Sequence, residues 1–181
     1  MLDVAIIGCG VVGAAAAYEL SHYPLHVAVL EAENDVADGT TKANSAILHA
    51  GYDPEPGTQM ARLNVQGVAL AKEICARLDV PYRQCGSLVL ALSQAELPHL
   101  QTLYANGVAN GVEPQLAPTV AGALFAPSAA IVSPWEFALA MAEVAVRNGV
   151  ELYRSTPVTN IEKIDGGWQL TTPNGCFAAR Y

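Results

Sequence analysis

Apolar residues near the start of the chain form two short runs separated by a segment of small residues. The runs Val4–Ile7 and His26–Leu30 are almost continuously apolar, which is typical of parallel strands covered on both faces. Between them, Val11–Leu20 is rich in alanine and favours a helix. The order strand, helix, strand predicts a βαβ unit in this part of the sequence.

The middle of the sequence alternates loop-like and helical patterns. Residues 32–56 show no sustained period, and a loop of this length inside a compact domain is usually functional. From Thr58 to Leu78, apolar residues recur on one helical stripe that we expect to face a core. The stripe consists of Met60, Leu63, Leu70, Ile74 and Leu78. Ser93–Glu96 and Ser133–Glu136 have the S-x-x-E form of a capping box, and each predicts the start of a helix.

Strands are predicted in the remaining segments. One covers about Ser87–Leu92, and residues 114–134 should contain brief strands joined by proline-rich turns. Val150–Tyr153 predicts a strand that follows the second capped helix. The last three strands, separated by two glycine-containing turns, predict a meander over Val158–Ile164, Trp168–Thr172 and Cys176–Tyr181.

Composition excludes several classes of protein. The chain is 52% hydrophobic but only 14% charged, and its net charge is -8. An acidic chain without a basic stripe is not expected to bind nucleic acid or an anionic membrane surface. The apolar runs are too short for a transmembrane segment, and no signal-peptide pattern is present, so a cytoplasmic location is expected. The four cysteines lack zinc-ligand spacing, and we predict no metal site.

The segment after the first strand matches the pattern G-x-G-x-x-G at Gly8, Gly10 and Gly13. In dinucleotide-binding folds the first glycine permits a tight turn and the second lets the backbone approach a pyrophosphate. The third glycine lets the helix pack closely on the strand. The pattern carries weight here because a strand precedes it and a helix follows it.

The second strand ends in an acidic residue, Glu31. A carboxylate at this distance from the glycines accepts hydrogen bonds from ribose hydroxyls, and its charge opposes a 2′-phosphate. The motif therefore predicts that FAD or NAD binds, rather than NADP. An NAD-dependent dehydrogenase would continue with regular βαβ alternation after Glu31, and residues 38–53 do not provide it.

That loop contains a Thr-Thr pair, an Asn-Ser pair and an apolar stretch into His-Ala-Gly, from Gly39 to Gly51. It resembles FAD-dependent oxidoreductases of the D-amino-acid-oxidase (DAO) type. Within them it is most similar to the glycerol-3-phosphate oxidase and anaerobic glycerol-3-phosphate dehydrogenase group. Further segments that are similar to the same group lie at 52–67, 85–91, 113–116 and 131–134, so the resemblance covers nearly the whole chain.

The resemblance implies a role for each matching position. Thr40 and Thr41 would contact the pyrophosphate or the ribityl chain of FAD, and Asn44 and Ser45 would lie near the isoalloxazine. Val158 would reach the adenine through its main chain, although an ordinary core valine is nearly as good an interpretation. His49 would lie near the flavin ring, where it orients the flavin or handles the proton of a substrate hydroxyl, unless it is a packed histidine.

The function implied is oxidation of a small 2-hydroxy compound such as glycerol 3-phosphate, with hydride transfer to the flavin. L-2-hydroxyglutarate oxidation is the near alternative, because that family shares the Asn-Ser and His-Ala-Gly elements, and an amino-acid oxidase is the third. An alternative of another class is a truncated, inactive dinucleotide-binding or interaction module.

The predicted fold class is α/β: a Rossmann-like FAD/NAD(P)-binding domain, with a parallel sheet, helices and a meander, and part of a mixed α+β substrate domain. We assign 1–80 and 146–181 to the FAD-binding domain and 81–145 to the substrate or cap domain. Because the sequence stops inside a predicted strand, we expect exposed apolar area near its end. We also expect association with a C-terminal portion or a second copy.

Overall fold

The computed structural model describes residues 1–118 and 121–181, and the elements named here belong to them. The helices are α1 (Val11–Leu20), α2 (Gln59–Leu78), α3 (Leu97–Ala109) and α4 (Pro134–Arg147). The strands are β1 (Val4–Ile7), β2 (Val27–Leu30), β3 (Ile47–Leu48), β4 (Tyr82–Arg83), β5 (Ser87–Ala91), β6 (Gln115–Ala117), β7 (Gly122–Ala126), β8 (Ala130–Val132), β9 (Glu151–Tyr153), β10 (Asn160–Ile164), β11 (Gly167–Thr172) and β12 (Gly175–Ala179). The chain divides into a first compact unit, Met1–Ser45 with Pro134–Tyr181, and a second, Ala46–Ser133.

The first unit is built on a parallel sheet with strand order β1-β2-β9. All of β2 is buried, as expected for a central strand covered on both faces. Helices α1 and α4 pack against each other, and their buried faces consist mainly of alanine, so the two helices approach closely. This arrangement confirms the predicted α/β, Rossmann-like class.

The predicted meander is present as the antiparallel sheet β10-β11-β12. Leu170 of β11 belongs to one buried cluster with Leu2, Ala28 and Leu30, so the meander packs on the parallel sheet. Exposed apolar side chains, as expected near the end of the sequence, are Tyr181 and Trp168, which lies opposite Ala179 in the meander.

The second unit contains two antiparallel sheets, β3-β8-β4 and β5-β7-β6. Helix α3 packs against β5 and β7. The core between them is centred on Leu100, Leu103 and Leu124. The brief strands predicted between residues 114 and 134 correspond to β6, β7 and β8, while Thr119 and Val120 lie outside the described residues.

The predicted core stripe of α2 is wrong at three of its five positions, while Ile74 and Leu78 are half-buried. Met60, Leu63 and Leu70 are 70%, 51% and 55% exposed. The buried positions of this helix are instead Ala61, Ala71 and Cys75. Small side chains let α2 lie close to its neighbours, and the periodicity of large residues did not indicate that face. Although α2 has 20 residues, no helix in the described part of the chain has both the length and the apolar character needed to cross a membrane.

Both predicted capping boxes are followed directly by a helical segment. Helix α4 begins at Pro134, directly after Ser133. At Ser93 the helical segment also begins directly after the serine, although its first turn, Gln94–Glu96, is 3₁₀ and α3 itself begins at Leu97. Glu96 Oε2 accepts a hydrogen bond from Leu92 N at 2.9 Å. The carboxylate therefore binds the backbone of the residue that directly follows β5.

The compact units have different boundaries from the predicted domains. Residues 46–80 belong to the second unit, since β3 pairs with β8 and α2 contacts β4. Residues 134–145 belong to the first unit, because α4 packs on α1. The assignment of the two units to FAD and to substrate stays a prediction.

Gly13 shows how close α1 lies to the strand that precedes it. A Cβ atom at Gly13 would lie 2.0 Å from the carbonyl oxygen of Gly8, whereas a Cβ at Gly67 of α2 would meet nothing within 4 Å. We therefore expect Gly13→Ala to destabilise the protein by about 3 kcal/mol through overpacking. We expect Gly67→Ala to stabilise it by roughly 0.5–1 kcal/mol through its better helix propensity.

Urea unfolding followed by circular dichroism measures both effects. The two variants add the same methyl group to a helical glycine, so a general intolerance of alanine would move both midpoints downward. A Gly13→Ala protein that unfolds at the wild-type urea concentration would contradict the close packing of α1.

Exposed polar side chains join strands at one end of the parallel sheet. His26 Nε2 lies 2.8 Å from Glu151 Oε1, and the Tyr153 hydroxyl donates to Glu151 Oε2 at 2.5 Å. These hydrogen bonds, from Tyr153 first and His26 second, hold the pKa of Glu151 below its ordinary value of 4.5. The same contact raises the pKa of Tyr153.

A lowered pKa means that ionised Glu151 stabilises the folded state above its unfolded pKa, and that this contribution is lost as pH falls through the folded value. We expect Glu151→Gln to be less stable than the wild type at pH 7, with the difference disappearing below the ordinary pKa of 4.5. Urea midpoints of the two proteins from pH 7 to pH 3 measure this. A difference that is constant with pH would contradict the assignment.

Candidate functional site: the glycine turn and its neighbours

The turn between β1 and α1 directs several backbone N–H groups outward. Gly8 has a φ of 89°, a left-handed conformation that favours glycine, and its N–H donates to Leu30 O at 2.8 Å. The first backbone hydrogen bond of α1 runs from Ala14 N to Gly10 O at 2.9 Å. The N–H groups of Val12 and Gly13, which precede that bond in the first helical turn, therefore point out of the helix end, where the helix dipole favours an anion.

Thr41 comes from the loop to the same helix end. Its Oγ1 accepts a hydrogen bond from Val11 N at 3.0 Å, and α1 has no cap from the side chain of its own N-cap residue. Thr41 Oγ1 also lies 3.1 Å from the place that a Cβ at Gly10 would occupy. A side chain at position 10 would therefore crowd the Thr41 hydroxyl, so glycine at this position leaves room for the hydrogen bond to Val11 N.

Glu31 is 8% exposed, and both of its carboxylate oxygens accept backbone hydrogen bonds. Cys9 N donates to Oε2 at 2.6 Å, and Glu33 N donates to Oε1 at 2.8 Å. A buried charge requires such partners. Each oxygen has a second lone pair, so the carboxylate can still accept from the hydroxyls of a ribose.

Cys9 lies inside the glycine turn and is itself buried. Burial, with a further contribution from the negative charge of Glu31, raises the pKa of the Cys9 thiol to about 11. The thiol is therefore protonated at neutral pH and adds no charge to the helix end. A buried, protonated thiol of this kind is not reactive as a nucleophile.

Asn44 supports the loop that carries the two threonines. Its Nδ2 donates to Thr40 O at 3.2 Å and to Thr41 O at 2.7 Å, which closes the 3₁₀ turn Thr40–Lys42. The Lys42 ammonium forms an ion pair with Asp38 across the same turn. Ser45 follows as an exposed residue at the end of this segment of the first unit.

A groove of about 530 Å³ runs over this surface of the first unit. The structure brings six of the predicted cofactor residues together in its lining: Gly8, Gly10, Gly13, Thr40, Thr41 and Asn44. The rest of the lining is apolar, and Ile7 and Val12 in it are 52% and 81% exposed. Glu31 contacts the same turn through Cys9, whereas Ser45 and Val158 are not part of the lining.

Val158 lies between β9 and β10, and its side chain packs against the cluster under the meander. The residues just before it contact the end of β2. Ser155 N donates to Glu33 O at 2.7 Å, and Thr156 N donates to Glu31 O at 2.8 Å. Sequence reasoning missed these two residues, and the only signal for them was a Ser-Thr-Pro turn directly after a short strand.

His49 belongs to the second unit and directly follows β3. Its side chain is 49% exposed, so it is not the packed core histidine of the alternative interpretation. Its Nδ1 lies 3.8 Å from Asp53 Oδ2, which is an ion-pair distance and longer than a hydrogen bond.

Comparison with known proteins extends over the whole chain. Residues 3–181 match the sequence profile described as "FAD dependent oxidoreductase", DAO. The glycerol 3-phosphate dehydrogenase of Caloramator mitchellensis is 45% identical over 100% of this chain and 41% of its own length. The mitochondrial L-2-hydroxyglutarate dehydrogenase of Homo sapiens is 44% identical over 61% of this chain and 24% of its own length.

Among solved structures, the dithionite-reduced L-α-glycerophosphate oxidase of Mycoplasma pneumoniae with FAD bound superimposes with a TM-score of 0.89 and 29% identity. The match covers 99% of this chain and 52% of that one. The chain thus spans about half or less of the length of these proteins. The match over residues 3–181 shows that the chain belongs to the DAO family of FAD-dependent oxidoreductases.

Proposed function

We propose that this chain binds FAD along the groove at the β1–α1 turn. The observation that carries the proposal is the convergence of Glu31, the glycine turn and Thr41 on one helix end. The outward N–H groups of that end would hold the pyrophosphate, and the Glu31 carboxylate would hold the adenosine ribose. No acidic side chain in the first turn of α1 opposes a phosphate.

The fit of FAD to this surface rests on the chain's own atoms. At the glycines the groove lining has no side chains, so the backbone can approach a ligand there. The lining beside them is apolar, and a ring system can lie against it. Thr40, Asn44 and Ser45 would contact the flavin-bearing half, and the main chain of Val158 would contact the adenine. These contacts are proposals for this chain.

We further propose oxidation of a small 2-hydroxy compound, with glycerol 3-phosphate as the leading substrate. Support comes from the 45% identity to a glycerol 3-phosphate dehydrogenase over 100% of this chain. L-2-hydroxyglutarate is the alternative, because the similarity to that dehydrogenase is nearly as high over 61% of the chain. When bound, FAD supplies the acceptor for the hydride that the carbinol carbon loses as the alcohol becomes a ketone.

His49 is the residue that we propose to accept the hydroxyl proton. Its imidazole is exposed and can therefore reach a ligand, and its Nδ1 lies 3.8 Å from Asp53 Oδ2. A cytoplasmic location, and association with a second copy or a C-terminal portion, stay predictions.

The visible absorbance spectrum of the purified chain, with and without added FAD, tests cofactor binding. We expect a yellow protein whose absorbance bleaches anaerobically on adding glycerol 3-phosphate. Free FAD with the same substrate is the control. Bleaching by L-2-hydroxyglutarate alone, or by an amino acid alone, would assign that compound as the substrate instead. A colourless chain that takes up no FAD would favour the inactive-module alternative.

His49→Asn tests the proton acceptor. We expect anaerobic bleaching to slow by about 100-fold or more, as for the loss of a general base, with FAD content unchanged. His99→Asn is the matched control, because His99 is another exposed histidine of the second unit. Bleaching within a few-fold of the wild-type rate in His49→Asn would contradict the assignment.

A further inference from the structure

The parallel pairing of β2 with β9 is interrupted just beyond the ends of the two strands. Glu31 N donates to Tyr153 O at 2.8 Å, as the ladder requires. A regular parallel ladder would continue with Ser155 N donating to Glu31 O. Instead Thr156 N makes that bond at 2.8 Å, so one extra residue has been inserted. This is a β-bulge, a feature that re-aims groups beside functional sites.

Ser155 is the inserted residue, and its backbone is left-handed, with a φ of 51°. That conformation is uncommon for a residue other than glycine, asparagine or aspartate. Its side chain is exposed, so its contribution comes from the backbone. The bulge frees the Ser155 N–H from the ladder, and this N–H donates to Glu33 O at 2.7 Å.

The hydrogen bonds continue from there to the buried carboxylate. Glu33, whose carbonyl is fixed by Ser155, donates its own N–H to Glu31 Oε1 at 2.8 Å. Arg154 Nη1 donates to Asn34 O at 3.2 Å and fixes the next peptide of the same turn. The position of one of the two backbone donors to Glu31 therefore depends on the bulge.

We propose that Ser155 is a positioning residue for adenosine recognition: the left-handed bulge sets the orientation in which the Glu31 carboxylate meets the ribose hydroxyls of the nucleotide. The inference rests on the proposed binding of FAD, whose adenosine half carries that ribose. Ser155 acts through Glu33 and Glu31 and has no contact of its own with the ligand.

Two nucleotides separate this role from a purely structural one. ADP carries the 2′-hydroxyl that Glu31 would accept from, and 2′-deoxy-ADP lacks it. Binding of each to the full 181-residue chain is measured by isothermal titration calorimetry. We expect Ser155→Val, which disfavours a left-handed backbone, to weaken ADP binding by about tenfold. Binding of 2′-deoxy-ADP should weaken less, so the preference for ADP falls.

Three variants complete the experiment. Ser155→Gly keeps the N–H and accepts the left-handed backbone, so it should keep the wild-type preference for ADP. Ser155→Ala replaces the valine variant if that protein does not fold. Asp79→Val is the matched control, because Asp79 is an exposed left-handed residue of the second unit, with a φ of 56°. It should lose stability while keeping the preference for ADP.

The outcomes distinguish this inference from the proposed function. If the wild-type chain binds ADP and FAD but Ser155→Val weakens both nucleotides equally, the bulge has only a structural role and the inference is wrong. If the wild-type chain binds neither ADP nor FAD, the proposed function fails and the inference fails with it. A reduced preference in Ser155→Val that is restored in Ser155→Gly supports the inference.

Discussion

A buried carboxylate constrains the organisation of the first unit. Glu31 stands at the end of a fully buried strand, and leaving its charge without partners there would be strongly unfavourable. The N–H groups of Cys9 and Glu33 supply the partners. To bring Cys9 N within 2.6 Å of that carboxylate, the chain must turn sharply after β1, and the left-handed Gly8 makes the turn.

The same turn determines what lies around it. Once the chain has reversed at Gly8, α1 starts so close to β1 that only a residue without a side chain fits at Gly13. The helix end is left without an acidic residue or a cap of its own, and Thr41 reaches it from a distant part of the sequence. The protonated Cys9 thiol, whose pKa is raised, leaves that end free of an extra negative charge.

Sequence reasoning was successful where a local pattern has one structural solution. The glycine spacing predicted the β1–α1 turn, and the Gly-containing turns predicted the meander, because glycine is needed for the backbone geometry at those points. The acidic residue at the end of β2 was likewise predicted from its distance to the glycines. The hydrogen bond from Val11 N to the Thr41 hydroxyl was not predicted, since nothing local indicates that Thr41 caps α1. The cofactor contact that the family resemblance implies for Thr41 stays a prediction.

The errors of prediction occur where distant contacts decide the outcome. The core face of α2 is the one lined by Ala61 and Cys75, because close packing in the second unit selects small residues over the larger Met60 and Leu63. The pairing of β3 with β8 joins residues more than eighty positions apart and carries no local signal. The bulge at Ser155 depends likewise on the end of β2, which the turn sequence alone does not show.

The predicted cofactor residues and the predicted catalytic histidine belong to different compact units. The glycine turn, Glu31, Thr41 and Ser155 all belong to the first unit, whereas His49 belongs to the second. Hydrogen bonds that fix Glu31 run entirely within the first unit, so a substitution in the second unit leaves them intact. If the second unit binds the substrate, as predicted, substrate preference can change there while these hydrogen bonds stay in place. Two relatives named for different substrates are 45% and 44% identical to this chain, as expected if most of the shared residues serve the fold and the cofactor rather than the substrate.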